Sequence, residues 1–555
     1  MGLLAAVGRP FARRLGAART ASPSFSSVFH HRGGGLSLNP NVGAVSHRAL
    51  SSAGPAAVLR AVLAQLLEEQ PSISLREVKA ALEKDHPELA ELHGSKDVRL
   101  ALRDLRAAPP APAGAAGGGG GAEGWSTEPW GDPEAQRKDA AAGFLVSKDF
   151  APFSQKDDIF CRSFWDKTVR TKRSEKFWQG FAPLGGGGEP WSGRAEGSGF
   201  THADYALRNA AWHVMDTIAE LKESEDRREG FLDPFTVLNP GPPQARIDFG
   251  SAEDSAFMIK KVATMLGADG VGVTGRDERW HYTSHFSRAQ MAEKPNHDVP
   301  ATLPHAIIVV TAMDESLLQT VPSALSEAAA GLGYGWDTVV LLSLAQFLRN
   351  AGYQAVASLN DTALAIPYAV QAGEPPRPPD IAGIWVAFFS RCQRSLLTGL
   401  GEYGRHGLLI HPEHGPRVRI GKLWTDLPLA HDEPRRSGVA EFCAVCDRCA
   451  TACPAQAISY GPAGGAEHHN QSNLRGVRKW TTNAEKCFSY WTQSNAACSV
   501  CIRVCPYNRG SAATDRAWRY LAGTPLRRLM LALDDASGRA KRLRPAAWWR
   551  AGAAR

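Results

Sequence analysis

The sequence predicts an α+β fold in which a large mixed core precedes a small cysteine-rich segment. Between residues 140 and 435, stretches with helical periodicity alternate with short runs rich in β-branched residues. Eight of the ten cysteines lie in two short runs within residues 443–505. An alanine- and glycine-rich stretch at 107–121 cannot bury a hydrophobic core, so it separates the core from the residues before it.

The residues before the core divide into three parts by composition. Residues 1–52 are rich in Arg, Ser and Ala, and the first acidic residue of the chain is Glu68. This composition is typical of an organelle transit peptide and predicts a mitochondrial or plastid location; the alternative is a disordered basic tail on a cytoplasmic protein. Residues 56–106 place apolar side chains at helical spacing and predict a small helical segment. Residues 107–139 are expected to be a Gly- and Pro-rich linker.

The overall composition argues against two classes of partner. The formal net charge of +7 is modest for 555 residues, and the basic residues are not gathered into one stripe. Binding to nucleic acid through a basic surface is therefore not expected. The apolar run at 381–389 is far shorter than the roughly 18 apolar residues that a membrane-spanning helix needs, so no membrane span is expected.

The core and the C-terminal region contain recognisable patterns of secondary structure. Helices are predicted at 202–222, 253–266, 322–330 and 338–350, and strands at 270–274, 306–311 and 353–358. The glycine-rich segment 331–335 is expected to separate the last two of these helices. Within the C-terminal residues 513–555, a helix at 518–533 and a Trp-rich tail are expected to pack back on the core.

The two cysteine runs have the spacing of bacterial ferredoxins and predict a double-cluster domain at residues 436–512. Three closely spaced thiolates bind three irons of a [4Fe–4S] cube, and the fourth cysteine of a run, which precedes a proline, ligates the other cube. The ligands expected for the first cluster are Cys443, Cys446, Cys449 and Cys505. Those expected for the second cluster are Cys453, Cys487, Cys498 and Cys501.

Other uses of these cysteines fit the sequence less well. A disulfide framework is typical of small secreted domains rather than of a chain of 555 residues. Structural zinc usually uses two Cys-x2-Cys pairs, or such a pair with histidines. Cys161 and Cys392 stand apart from the runs, and both are predicted to be buried thiols rather than ligands.

The string Gly399-x-Gly401-x-x-Gly404 has the form of a dinucleotide-binding fingerprint. A true fingerprint directly follows a strand. Residues 390–398 are polar and do not have the pattern of a strand, so binding of NAD or FAD is not expected. The glycines still indicate that the backbone closely approaches a cofactor or a packed helix.

An ordered set of motifs carries a resemblance to a known family. The motifs are LGADGVG at 266–272, RWHY at 279–282, GLGY at 331–334, SLNDT at 358–362, GLGEYGRHGLLI at 399–410 and HPEHGPRVR at 411–419. In this order, and followed by the ferredoxin runs, they resemble the reductive dehalogenases over about residues 144–550. In that family the segment before 374 joins directly to the glycine-rich turn, so residues 374–398 look inserted. They are either a surface insertion or a retained intron, and we favour the intron.

The resemblance implies a nitroreductase-like core that binds a corrinoid of the cobalamin type, with no protein side chain ligating the cobalt. It implies that Tyr334, Asn360 and Arg417 lie over the cobalt. In these roles Tyr334 would donate a proton, Asn360 would orient the substrate or halide, and Arg417 would lower the pKa of the tyrosine. The residues expected to bind the corrinoid are Gly401, Gly404, Arg405, His406 and Gly407.

We therefore expect a reductive dehalogenase that replaces a carbon-bound halogen by hydrogen on a halogenated aromatic compound. Its electrons would come from a separate ferredoxin or flavin reductase, because no cysteines remain for a fused [2Fe–2S] domain. One alternative is an enzyme similar to epoxyqueuosine reductase, which acts on transfer RNA, but no basic groove is evident. The other alternative is a non-catalytic electron-transfer protein, which would not need the large core.

Overall fold

A computed structural model of the protein describes residues 62–63, 75–85, 98, 126–181, 190–223, 245–288, 290–295, 299–358, 364–373, 400–464, 469–510 and 512–551. The chain divides into two compact units, one of residues 1–73 and 78–98 and the other of residues 74–77 and 99–555. Several predictions fall outside the described residues. These concern the transit peptide at 1–52, Asn360, Cys392 and the interruption at 374–398.

Helix α1 (Leu75–Asp85) lies within the predicted helical segment 56–106. Val78 and Leu82, one helical turn apart, are buried on its apolar side. Outside this helix, Val62, Leu63 and Val98 are also buried.

The second unit contains the mixed helices and strands that the sequence predicts, and the α+β fold is confirmed. Its helices are α2 (Pro133–Ala142), α3 (Ile159–Trp165), α4 (Lys172–Gln179), α5 (His202–Glu223), α6 (Ala252–Met265), α7 (Glu315–Gln319), α8 (Ala324–Asn350), α9 (Ala365–Gln371), α10 (Val439–Val445), α11 (Arg448–Ala452), α12 (Ala484–Ser494), α13 (Val500–Val504), α14 (Ala513–Ala522), α15 (Arg527–Ser537) and α16 (Pro545–Arg550). Its strands are β1 (Leu145–Val146), β2 (Gly270–Gly275), β3 (Ser284–Ser287), β4 (Ala292–Pro295), β5 (His305–Ala312), β6 (Ala355–Ser358), β7 (Glu402–Tyr403), β8 (Leu409–Ile410), β9 (Val418–Thr425) and β10 (Val477–Arg478).

Four strands form the central antiparallel sheet in the order β2-β5-β9-β6. Alternate residues of β5 point to opposite faces: Ile308 and Val310 join one apolar cluster, and Ile307 and Val309 join another. Both faces of the sheet are therefore covered, which explains why β5 is apolar at nearly every position. The three strands predicted from the sequence are all present in this sheet.

The prediction of two helices around the segment 331–335 is wrong, because α8 runs unbroken from Ala324 to Asn350. The glycines serve close packing instead. A Cβ atom on Gly331 would lie 2.8 Å from the Trp212 ring of α5, and one on Gly333 would lie 2.9 Å from the Arg419 side chain. Tertiary contacts thus outweigh the weak helix propensity of glycine.

The predicted helix at 518–533 is in fact two helices, α14 and α15. Pro525 lies in the turn between them, and its ring cannot continue a helix from the preceding residues. Trp518 of α14 is buried against Phe442 and Tyr507, so this region does pack back on the protein as expected.

Helix α8 is long and apolar enough to cross a membrane by length and composition. Of its most apolar window, 56% is buried within the protein, where Val340, Leu341 and Leu344 pack against the sheet. Among the described residues it is therefore a core helix rather than evidence for a membrane span.

Candidate functional site

Four of the predicted cluster ligands line one cavity. The sulfur atoms come from three short helices and the residues that follow them: Cys443 lies in α10 and Cys446 directly after it, Cys449 lies in α11, and Cys505 directly follows α13. All four side chains are buried. Burial raises the pKa of the Cys446 thiol to about 12, with a further contribution from Cys443, so the thiols must lose protons when they bind iron.

The other four predicted ligands also lie together. Cys453, Cys487, Cys498 and Cys501 share one apolar cluster with Cys449 of the first set. Burial raises the pKa of the Cys487 thiol to about 12, and the nearby Cys498 and Cys453 thiols add to this shift. The two sets therefore adjoin, as the alternating use of cysteines between two cubes requires.

These donor sets fit clusters rather than single metal ions. Among the described residues, no group of three or more His, Cys, Asp or Glu side chains converges on one point as a mononuclear metal site would require. In a [4Fe–4S] cube each thiolate binds a different iron, so the four sulfur atoms surround a volume rather than a single ion. The solitary Cys161 is buried, as predicted for a structural thiol.

Arg405, which lies in the α+β core, binds the cysteine segment. It is 3% exposed, and its guanidinium donates hydrogen bonds to backbone carbonyl oxygens of the cysteine segment. The acceptors are Cys443 (2.7 and 3.1 Å), Cys446 (2.9 Å), Ser459 (3.1 Å), Tyr460 (2.8 Å) and Gly461 (2.9 Å). The guanidinium also lies 5.1 Å from the ring centre of Trp480. Arg405, predicted to bind corrinoid, thus holds the first cysteine loop in place.

His406 lines the same cavity as the first four cysteines. It is 3% exposed, and its Nδ1 accepts a hydrogen bond from the backbone N–H of Leu408 at 3.2 Å. Its Nε2 is buried without a hydrogen-bond partner in the described structure. Burial lowers the pKa of the His406 imidazole to about 4, so the ring is neutral at physiological pH.

The glycines of the same segment shape a hairpin rather than a dinucleotide site. Strands β7 and β8 pair Glu402 with Ile410 and Tyr403 with Leu409. Gly401 has φ of 142°, and a Cβ atom there would collide with the backbone of Ile410. A Cβ atom on Gly404 would lie 2.7 Å from the His406 ring, and Gly407 has φ of 71°. No helix follows Gly404 directly, which agrees with the expectation that the fingerprint is not genuine.

Tyr334 is paired with an arginine on the neighbouring sheet. The guanidinium of Arg419 donates a hydrogen bond from Nη1 to the Tyr334 hydroxyl at 3.0 Å. The same guanidinium lies 4.8 Å from the centre of the tyrosine ring, and the Trp212 ring lies 5.2 Å from that centre on another side. Both members of the pair are half-buried, so the hydroxyl is held in place and still accessible.

The arginine that bonds to Tyr334 is Arg419 rather than Arg417, and the placement of Arg417 over a cobalt stays a prediction. The Arg417 guanidinium is buried and donates to the carbonyl oxygens of Met313 (3.2 Å) and Arg509 (3.1 Å) instead. Arg417 precedes β9, whereas Arg419 lies within it, on the face that carries Gly421 against α8. Counting residues along the chain could not decide between two arginines two positions apart. Side chains two residues apart on a strand point to the same face, so the alternation in β9 does not distinguish the two arginines, and only the position of Arg417 before the start of the strand does.

Asp337 is a further ionisable residue that the sequence analysis did not identify. It lies one helical turn beyond Tyr334 on α8, is fully buried, and both carboxyl oxygens lack a hydrogen-bond partner in the described structure. Burial raises its pKa well above the usual value, while the charges of Lys422 and Arg419 oppose this rise. A Cβ atom on Gly421 would lie 2.5 Å from the carboxyl, so only glycine fits opposite it.

Comparison with known proteins places these features in a family context. A family described as "4Fe-4S double cluster binding domain" matches residues 442–508. Tetrachloroethene reductive dehalogenase of Desulfitobacterium hafniense is 35% identical over 297 residues, which cover 47% of this chain and 49% of that protein. The enzyme of the same name from Sulfurospirillum multivorans is 32% identical over 308 residues, covering 50% and 56%. An epoxyqueuosine reductase of Lactococcus garvieae is 30% identical over 128 residues, which cover 20% of this chain and 30% of that protein.

Solved structures show the same fold. A catabolic reductive dehalogenase in complex with 3-bromo-4-hydroxybenzoic acid has a TM-score of 0.53 at 20% identity, covering 73% of this chain and 49% of that one. A reductive dehalogenase described as suggesting a mechanism for B12-dependent dehalogenation has a TM-score of 0.51 at 20% identity, with the same coverage. The chain spans about half the length of the curated relatives it matches. Over this shared part, the chain is a homologue of the reductive dehalogenases, with their fold and a 4Fe-4S double cluster binding domain.

Proposed function

We propose that this protein replaces a carbon-bound halogen by hydrogen, using a corrinoid and electrons relayed by two [4Fe–4S] clusters. The observation that carries this proposal is the pair of Tyr334 and Arg419, joined at 3.0 Å within a fold shared with reductive dehalogenases. The overall reaction consumes the organohalide, two electrons and one proton, and releases the hydrogen-substituted product and a halide ion. The chain must therefore supply an electron path and a proton donor.

Tyr334 is the proposed proton donor. Its hydroxyl already accepts a hydrogen bond from Arg419, so its own O–H is directed elsewhere and is free to reach a substrate. When the proton leaves, the phenolate remains beside a guanidinium that is always charged, which stabilises it. The same positive charge would favour the binding of a halogenated phenol in its phenolate form. This supports the proposal of a halogenated aromatic substrate, although the curated relatives are named for tetrachloroethene.

The two cysteine sets are the proposed electron path. They adjoin through Cys449 and Cys501, which share an apolar cluster. Arg405 connects the first set to the β7–β8 hairpin of the core, so the cavity of that set is fixed against the core. The chain itself offers no further redox motif among its cysteines, and we propose a separate ferredoxin or flavin reductase as donor.

Buried polar atoms without partners support a ligand between the cysteines and the Tyr334 pair. In the described structure these atoms are Arg417 Nε, the Tyr507 hydroxyl, the Asn508 amide and Arg519 Nη1. Arg417 contacts Met313, which also lies 3.2 Å from Arg419, and Tyr507 and Asn508 follow Cys505 closely. A corrinoid carries a ring of amide side chains that could satisfy such atoms. When bound, it would supply the cobalt chemistry that breaks the carbon–halogen bond, and these residues would hold it.

The N-terminal composition adds a proposal about location. The Arg- and Ser-rich residues 1–52 support import into an organelle. The modest net charge supports the expectation that nucleic acid is not a partner.

The test is an assay of the full chain, purified without oxygen and reconstituted with iron, sulfide and cobalamin. Reduced methyl viologen would supply electrons, and 3-bromo-4-hydroxybenzoate and tetrachloroethene would be offered separately. We expect bromide release and 4-hydroxybenzoate in a one-to-one ratio, dependent on cobalamin. Release of chloride alone would show that the substrate is a haloalkene rather than a halogenated aromatic compound. Release of neither halide by protein with full clusters and bound cobalamin would overturn the proposal.

A further inference from the structure

His406 has a buried ring nitrogen, Nε2, that has no hydrogen-bond partner among the described residues. It lies in the turn of the β7–β8 hairpin, 3% exposed, and it lines the cavity of Cys443, Cys446, Cys449 and Cys505. A buried polar nitrogen without a partner is destabilising, so its presence in this position indicates a ligand.

The hydrogen bond at the other ring nitrogen determines where the proton is. Nδ1 of His406 accepts from the backbone N–H of Leu408 at 3.2 Å, so Nδ1 carries no hydrogen. In a neutral imidazole the single N–H must then be on Nε2. Nε2 is therefore a donor, and it has no acceptor in the described structure.

The hairpin fixes the ring in this orientation. The carbonyl oxygen of His406 accepts a hydrogen bond from Thr482 Oγ1 at 2.8 Å, and the adjacent Arg405 is anchored to the carbonyls of Cys443 and Cys446. On the other side, the ring lies against Gly404, where a Cβ atom would be 2.7 Å away. The imidazole thus has little freedom to turn its donor out of the cavity.

We infer that His406 donates a hydrogen bond from Nε2 to a sulfur atom of the first cluster and so raises the reduction potential of that cluster. Phe442 and Pro506, which also line the cavity, offer no side-chain acceptor, and the Tyr507 hydroxyl does not bond to His406, because both groups lack a partner in the described structure. The sulfur atoms are therefore the available partner. A donor to a cluster sulfur stabilises the reduced state, which carries one more negative charge. His406 would act on the cluster directly, through this hydrogen bond. The inference depends on the cluster-binding domain and is independent of the proposed dehalogenation.

The test is a redox titration of the full, anaerobically reconstituted chain, followed by electron paramagnetic resonance. His406→Phe keeps a ring of similar size and removes the donor. We expect one cluster to shift to a more negative potential while the other stays unchanged. The ratio of reduced to oxidised cluster at a fixed poise should fall by up to about tenfold, or about 59 mV for one electron.

Two further variants separate the hydrogen bond from simple damage. His406→Gln retains an amide N–H at a similar reach and should restore most of the potential. His305→Phe replaces a half-buried histidine that contacts His431 at the end of β5, away from the cysteines, and should leave both potentials unchanged. Equal potentials in wild type and His406→Phe, both with full iron content, would overturn the inference.

A measurement on the unmutated protein covers the case in which His406→Phe loses its cluster. Electron–nuclear double resonance of the reduced protein, labelled with 15N-histidine, should show coupling of one cluster to a histidine nitrogen and to a proton that exchanges in D2O. Absence of both couplings would also overturn the inference.

Discussion

The guanidinium of Arg419 contacts Tyr334 twice, through a 3.0 Å hydrogen bond to the hydroxyl and at 4.8 Å from the centre of the ring. Arg419 lies on β9 and Tyr334 on α8, so the pair joins the sheet to the helix that covers it. The hydroxyl accepts the hydrogen bond from Arg419, so its own O–H is directed elsewhere. The pair therefore has the chemistry of a proton donor with its own stabiliser.

Tyr334→Phe tests the donor directly. The ring remains to pack beside Trp212, and only the hydroxyl is lost. We expect iron and corrinoid content to be unchanged while turnover falls by about 10²-fold or more, the usual scale for a lost general acid. Halide release under saturating substrate is the measurement. Full activity of the variant with bound corrinoid would remove Tyr334 from the mechanism.

Arg419→Lys and Arg417→Lys form a matched pair of variants. Lysine at 419 keeps a positive charge but cannot reproduce the planar contact with Tyr334, so turnover should fall by roughly tenfold. Arg417 binds the Met313 and Arg509 carbonyls rather than the tyrosine, so lysine there should lower the melting temperature and the corrinoid content, and should lower turnover per bound corrinoid less than Arg419→Lys does. The prediction fails if Arg417→Lys is the variant that loses more turnover per bound corrinoid at equal cluster content.

Cys443→Ser tests the assignment of ligands. We expect about eight iron atoms and eight sulfides per wild-type chain, and loss of one cluster with the other largely kept in the variant. Cys161→Ser is the control, because Cys161 is buried outside both cysteine sets. Iron and sulfide analysis with electron paramagnetic resonance is the measurement. About four iron atoms in the reconstituted wild type would contradict two clusters.

His281 predicts a dependence of stability on pH. Burial lowers the pKa of the His281 imidazole to about 4, and its Nε2 lies 2.8 Å from the Tyr368 hydroxyl. The unfolded chain binds a proton near pH 6.5, while the folded protein does not until near pH 4, so the contribution is present at neutral pH and lost as the pH falls.

As the pH falls from 7.5 to 5.5, protonation of His281 in the unfolded chain should lower the free energy of unfolding by about 1 kcal/mol. His281→Gln should flatten the fall of the melting temperature over this range, whereas His213→Gln, at an exposed position of α5, should not. An unchanged slope in His281→Gln would show that this histidine does not contribute.

The interruption at 374–398 gives a prediction about the transcript. If the segment is a retained intron, sequencing of messages should reveal forms that join the codons of Gly373 and Gly399 directly. If every message carries the segment, it is a genuine insertion. We would then expect a surface loop that a protease cuts early.

The sequence by itself determined the features that depend on local spacing. Cys443, Cys446 and Cys449 are separated by two residues each because one chain segment must wrap around a cube, and this constraint is visible without a structure. The apolar run at 306–311 likewise predicted a strand, and the structure shows that this strand, β5, is buried on both faces. The resemblance to reductive dehalogenases, read from ordered motifs, is confirmed by the relatives that match the chain.

Only the tertiary structure decided which residues meet across elements. It brought Arg419 rather than Arg417 to Tyr334, because Arg419 lies within β9 beside α8, whereas Arg417 precedes the strand and binds the Met313 and Arg509 carbonyls. It showed that α8 continues through Gly331 and Gly333, since α5 and β9 approach too closely for a side chain there. The tertiary structure also places His406 in the lining of the cysteine cavity. These outcomes depend on packing between segments distant in sequence, which residue spacing along one segment does not encode.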